Sequence, residues 1–130
     1  MVCCAGPVPV PQTRRRLLRV AFALVVLLQL VVLYAPQVPG PPSPVPHGDK
    51  VVHAFVFGLP VLVAGLARRR RWPAAALLCA VHAPVSEVMQ HAVLAHRSGD
   101  PWDVLADLVG VGLAAIAVPL VIRRPRRRRS

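Results

Sequence analysis

A chain of 130 residues has room for one domain, and this one is 55% hydrophobic with a mean hydropathy of +0.56 while carrying a formal net charge of +11. That much apolar sequence is more than a soluble domain of this size can hide, and the basic residues sit in blocks between apolar runs instead of spreading over a surface. A nucleic-acid-binding domain is thereby excluded despite a pI of about 11.7, and a bilayer with polybasic flanks fits both numbers.

Residues 1–16 form a basic N-terminal segment ending in Arg14, Arg15 and Arg16. A membrane-spanning helix needs about 20 largely apolar residues, and the first candidate is 17–34, interrupted only by Arg19 and Gln29. Basic residues before an apolar run also suit an export signal, but the run is long for one and no small-residue cleavage site follows. The expectation is a retained anchor helix. Residues 35–48 (APQVPGPPSPVPHG) follow; each proline lacks a donor and fixes φ, so this stretch predicts an extended outer linker.

The second span is expected over 51–67 with Pro60 inside it, the third over 74–95 with Pro84, and the fourth over 104–122 with Pro119. Prolines are tolerated in membrane helices because neighbouring groups re-satisfy the freed carbonyls. A basic tail, 123–130, closes the chain. Cys3, Cys4 and Cys79 suggest neither a disulfide nor a metal framework.

The fold class expected is therefore all-α: a polytopic protein of four transmembrane helices within 17–122. Fourteen of the sixteen basic residues fall at the start of span one, between spans two and three, and after span four. Four spans put these blocks on one face, which the positive-inside rule makes cytoplasmic together with both termini. The Arg, Ala and Pro bias suggests a bacterial source, and hence a multi-pass protein of the plasma membrane.

The five acids, Asp49, Glu87, Asp100, Asp103 and Asp107, all fall toward the opposite face. Lys50, Arg97, His53, Gln90, His91 and His96 join them there. Glu87, Gln90 and His91 share a helical face by their i, i+3, i+4 spacing, as Asp103, Asp107 and Gly110 do by i, i+4, i+7. Gly110 and Gly112 would admit a neighbouring helix closely. Glu87 lies roughly 20 Å of rise into its span at 1.5 Å per residue, a depth where an ionisable group is costly unless paired or wetted. Asp49 and Asp103 stand where helix caps belong. The expected site is an outward-facing polar pocket of Asp49, Lys50, His53, Glu87, Gln90, His91, Arg97, Asp103 and Asp107.

These residues resemble the VanZ-like family, membrane proteins associated with resistance to teicoplanin. The resemblance rests on Asp49-Lys50-Val51-Val52-His53, on Glu87 and Gln90 followed by Arg97, and on Asp103, Asp107 and Gly110, covering about residues 49–113 in order. Family members often carry Asn at the position of Asp107. The resemblance implies an envelope protein that alters glycopeptide or lipoglycopeptide susceptibility, or handles a lipid-linked wall precursor. The alternative is a membrane-embedded enzyme acting on a lipid or phosphate ester through its acids and histidines. No HExxH or comparable motif is present, so no metal and no cofactor are expected. The bilayer is the expected partner, nucleic acid is not one, and self-association would be needed for an ion pathway.

Overall fold

The computed structural model describes residues 12–36, 46–68, 70–94 and 99–122. The extreme N-terminal residues, most of the Pro-rich linker, Arg97 and the basic tail lie outside them. Four helices account for nearly all of the described chain: α1 (Gln12–Tyr34), α2 (Gly48–Ala67), α3 (Trp72–Val93) and α4 (Pro101–Ile122). No strand occurs among the described residues. Each helix is long and apolar enough to cross a membrane. At 1.5 Å per residue, 20 to 23 residues rise about 30–35 Å, against a hydrocarbon thickness of about 30 Å. This is a membrane protein.

Helix ends differ from the hydropathy boundaries because a helix can carry a polar first turn that hydropathy does not count. α1 starts at Gln12 and takes in Arg14–Arg16, residues that favour helix. α2 starts at Gly48, so Asp49 and Lys50 form its first turn. His47, in the left-handed region at φ 57°, stands at the N-cap without a side-chain bond to the helix. The cap expected of Asp49 is thus absent. α3 gains Trp72 and Pro73 at its start and ends at Val93, where Leu94 turns extended. α4 begins at Pro101, with Asp100 at its N-cap: the Asp100 carboxylate accepts the Trp102 N–H at 3.0 Å. Asp100 therefore caps α4 in place of Asp103, and proline follows at the first helical position, where its missing donor costs nothing.

α2 and α4 run parallel and form the most extensive helix pair. Their starts meet through Lys50 and Asp103, and their ends through Gly65 and Val118. Between these points a Cβ on Gly58 would lie 2.8 Å from the Gly110 carbonyl oxygen, and one on Gly110 would fall on the Ala54 carbonyl. Only glycine permits this backbone approach, the small-residue packing that replaces hydrophobic drive inside a bilayer. Gly112 does not take part, since nothing lies within 4 Å of its would-be Cβ. Two residues from Gly110 is about 200° around the helix, so it faces the other way. Sequence spacing left Gly58 and Gly65 unremarked.

α1 lies against α2 and touches α3 lightly, and α3 packs on both α2 and α4. Leu33, Phe57, Val61, Ala83, Val111 and Ala114 meet in the core. Large side chains such as Leu24, Leu78, Phe55, Leu113 and Leu120 are exposed, as a lipid-facing surface requires.

Candidate functional site: a buried acid–histidine cluster

The α2–α4 contact also builds the site. His53 precedes Ala54 by one residue, and Asp107 precedes Gly110 by three, so the glycine contact draws both polar side chains into the helix interface. His53 Nδ1 donates to Asp107 Oδ1 at 2.9 Å, and the Asp107 side chain is fully buried. One turn nearer the helix starts, Asp103 faces both His53 and Lys50. Its Oδ1 accepts from Lys50 Nζ at 2.6 Å, while its Oδ2 stands 3.9 Å from His53 Nε2. Lys50 Nζ also donates to Asp100 Oδ2 at 2.7 Å and to Asp49 Oδ2 at 3.2 Å.

α3 closes the third side. Glu87 is 6% exposed, and its Oε2 accepts the Asp100 backbone N–H at 2.9 Å. That bond ties the end of α3 to the turn leading into α4. Gly99 lets the turn pass closely, because a Cβ there would lie 2.7 Å from the Glu87 carbonyl oxygen. The other Glu87 oxygen, Oε1, and Asp107 Oδ2 have no hydrogen-bond partner among the described residues. Buried polar atoms ordinarily find partners, so these two carboxylate oxygens, lying in one cluster, call for a proton, a water or a ligand.

Most of the expected pocket is brought together: Lys50, His53, Glu87, Asp103 and Asp107. Asp49 sits at its exposed rim. Gln90 is buried beside Glu87 on α3, with its Nε2 unpartnered. His91 is exposed, although its spacing put it on the same face. At i+4 from Glu87 it stands about 40° further round the helix, off the arc that buries Ser86, Glu87 and Gln90. Arg97 lies outside the described residues. Lys50 bridges Asp100 and Asp103 at 37% and 13% side-chain exposure, so in this half-wet location the Lys50 ammonium holds the Asp100 carboxyl below the usual carboxylate range, with the Trp102 N–H adding to the effect.

Two features were missed. Asp100 joins the cluster through Lys50 and Glu87, and the Asp-Pro pair before an apolar run was a readable helix start. His82 hydrogen-bonds Tyr34 Oη through Nε2 at 2.9 Å and packs its ring on Phe57 at 5.6 Å between centroids. An ionisable side chain within an apolar run was its signal.

The opposite end of the bundle has the opposite character. Arg14, Arg15, Arg19, Arg68 and Arg71 line a cavity of about 890 Å³ whose remaining walls are mainly apolar residues of α1, α2 and α3. No acid lines it.

Chemically, the acid–histidine end offers an imidazole oriented by a carboxylate, two further carboxylates beside it and a lysine. Ser86 is buried, but its hydroxyl donates to the Ala83 carbonyl at 2.8 Å, so it is no evident nucleophile. Comparison with known proteins finds a relative in Schizosaccharomyces pombe, an uncharacterized protein 34% identical over 97 residues. The aligned region covers 72% of this chain and 60% of that protein, so the chain spans less than two thirds of the curated relative it matches. No family model matches the chain, and no solved structure does.

Proposed function

We propose that this protein is an envelope factor of the VanZ-like kind, with its arginine end in the cytoplasm and its acid–histidine end facing outward, controlling how a headgroup-bearing amphiphile enters the outer leaflet. The single observation behind this is the buried cluster of His53, Asp103, Asp107 and Glu87 at the end opposite the arginines. Burying carboxylates with unpartnered oxygens is costly in a membrane protein and is retained where a ligand meets them. The arginine blocks support the orientation through the positive-inside rule, and the cavity they line suits the anionic cytoplasmic leaflet. A lipoglycopeptide or a lipid-linked wall precursor is the amphiphile that the resemblance suggests. Similarity to a fungal protein widens that class to membrane lipids, since fungal walls hold no peptidoglycan.

The test is glycopeptide and lipoglycopeptide susceptibility in bacterial cells expressing wild type, Glu87→Gln or Asp103→Asn at matched membrane levels. Protection by wild type alone supports the proposal. Equal susceptibility in all strains, empty vector included, rejects it.

A second reading is a membrane enzyme acting on a lipid or phosphate ester. One observation favours it: Asp107 holds Nδ1 of His53 and leaves Nε2 directed toward Asp103, as a positioned general base requires. Release of product from a labelled phospholipid or lipid phosphate by purified protein, abolished in His53→Gln, would establish it.

A further inference from the structure

The geometry points to a binding site for one divalent first-row transition ion of the zinc class, held by His53, Glu87 and Asp103. The inference rests on reading the cluster as a binding site, but not on the identity of the amphiphile.

Each of the three residues offers one ligand atom, and these atoms lie within 4.8 Å of one another. They come from α2, α3 and α4, so the helix bundle brings them together without any local motif. The pair His53 Nε2 and Asp103 Oδ2 is informative. At 3.9 Å the two atoms are too far apart for a hydrogen bond. Two atoms bound to a common zinc at about 2.0–2.2 Å each stand about 3–4 Å apart. The observed spacing is too long for a donor and an acceptor and fits two ligands of one ion.

The surroundings prepare both atoms for that role. Asp107 accepts from Nδ1 of His53 at 2.9 Å, so in the neutral imidazole the Nε2 lone pair is directed into the cluster. A metal-binding histidine is characteristically held this way by a carboxylate behind it, which fixes tautomer and orientation. Lys50 occupies Oδ1 of Asp103 at 2.6 Å and leaves Oδ2 for an ion. The Asp100 N–H fixes Oε2 of Glu87, while Oε1, on a side chain that is more than nine-tenths buried, has no partner.

The donor set selects the cation. One imidazole nitrogen and two carboxylates suit zinc or a neighbouring transition ion better than calcium or magnesium, which take oxygen ligands alone. Three protein ligands leave a coordination position open, where a phosphate or carboxylate of an amphiphile would bind. That makes an acidic cluster compatible with an anionic headgroup, which the carboxylates alone would repel.

The full chain, purified in detergent and stripped with chelator, would be titrated with Zn²⁺ and with Co²⁺ as an optical probe. Wild type is expected to bind one ion per chain. Glu87→Gln and Asp103→Asn should each weaken binding at least about tenfold, and Asp107→Asn by about 10–100-fold through loss of the histidine's support. His91→Ala, altering an exposed residue outside the cluster, should leave affinity unchanged. X-ray absorption at the zinc edge of wild type checks the ligands without any variant: one imidazole with oxygens is expected. Absence of saturable binding, a sulfur-containing shell, or affinity indifferent to both carboxamide changes would overturn the site. Cells protected by a protein that binds no zinc would overturn the ion site alone; zinc binding without protection would overturn the envelope role alone.

Discussion

A single methyl group at Gly110 tests whether the helix packing and the site are one structure. An ideal Cβ at that position falls on the Ala54 carbonyl oxygen and lies 2.6 Å from its carbon and 2.7 Å from its Cα. Carbon atoms pack best at about 3.5–4.0 Å, so α4 must withdraw from α2 by about 1 Å. The obstructing atoms are backbone, and no rotamer change relieves them. Overpacking of this severity costs about 3 kcal/mol, and replacing glycine by alanine in a helix returns about 1 kcal/mol. Gly110→Ala should therefore lose about 2 kcal/mol net. The same withdrawal takes the His53–Asp107 bond from 2.9 Å to well beyond hydrogen-bonding range. Gly112→Ala is the matched control, because nothing lies within 4 Å of its Cβ, and it should gain up to about 1 kcal/mol. Reversible unfolding of detergent-purified protein, followed by circular dichroism, gives the stabilities. The ¹⁵N shift of the His53 ring reports its bond. Equal stability of the two variants, or a destabilised Gly110→Ala with the His53 signal unmoved, would refute the reasoning.

Lys50→Met strips the cation from Asp103, a pair with side chains 23% and 13% exposed, and should cost on the order of 2 kcal/mol, less than a fully buried pair because water screens it. Combining it with Asp103→Asn should recover part of that loss in the same unfolding assay. Asp100 is held below the ordinary carboxylate range by Lys50, so its contribution is fully present above the unfolded-state pKa and disappears as pH falls through the lowered folded-state value. Asp100→Asn should accordingly lower the melting temperature at neutral pH and flatten its fall as pH drops through and below the ordinary carboxylate range; an unchanged acid profile would count against the pair. Changing Arg68, Arg70 and Arg71 to Gln removes basic residues from the loop between α2 and α3 and should invert a fraction of the chains. A reporter fused after Ser130 that is active only in the cytoplasm would lose signal in proportion, whereas full activity would show that α1 alone sets orientation.

Apolar run length made the four helices legible, because a bilayer demands about 20 apolar residues of any spanning helix whatever its neighbours. Charge order along the chain likewise showed that the acids and the arginines belong to opposite ends, since alternating spans must return to the same face. Helix starts were less legible. Lys50 and Asp103 lie outside the hydropathy boundaries yet inside α2 and α4, because Asp100 and Pro101 set the start of α4 by capping chemistry that hydropathy ignores.

Helical spacing grouped residues of one helix correctly in rotation but could not say which of them meet another helix. Glu87 is buried and His91 exposed, and Gly110 touches backbone where Gly112 touches nothing. The absence of a local metal motif was also a true statement about sequence that left the tertiary question open. His53, Glu87 and Asp103 stand on three helices, and they converge where Gly58 and Gly110 let α2 and α4 come into backbone contact and the Asp100 N–H holds Glu87. Composition and periodicity by themselves determined a four-helix membrane chain with segregated charge, for each span answers to the bilayer alone. Only the tertiary structure decided which polar atoms share a site, because that depends on the distance of approach and relative rotation of helices far apart in sequence.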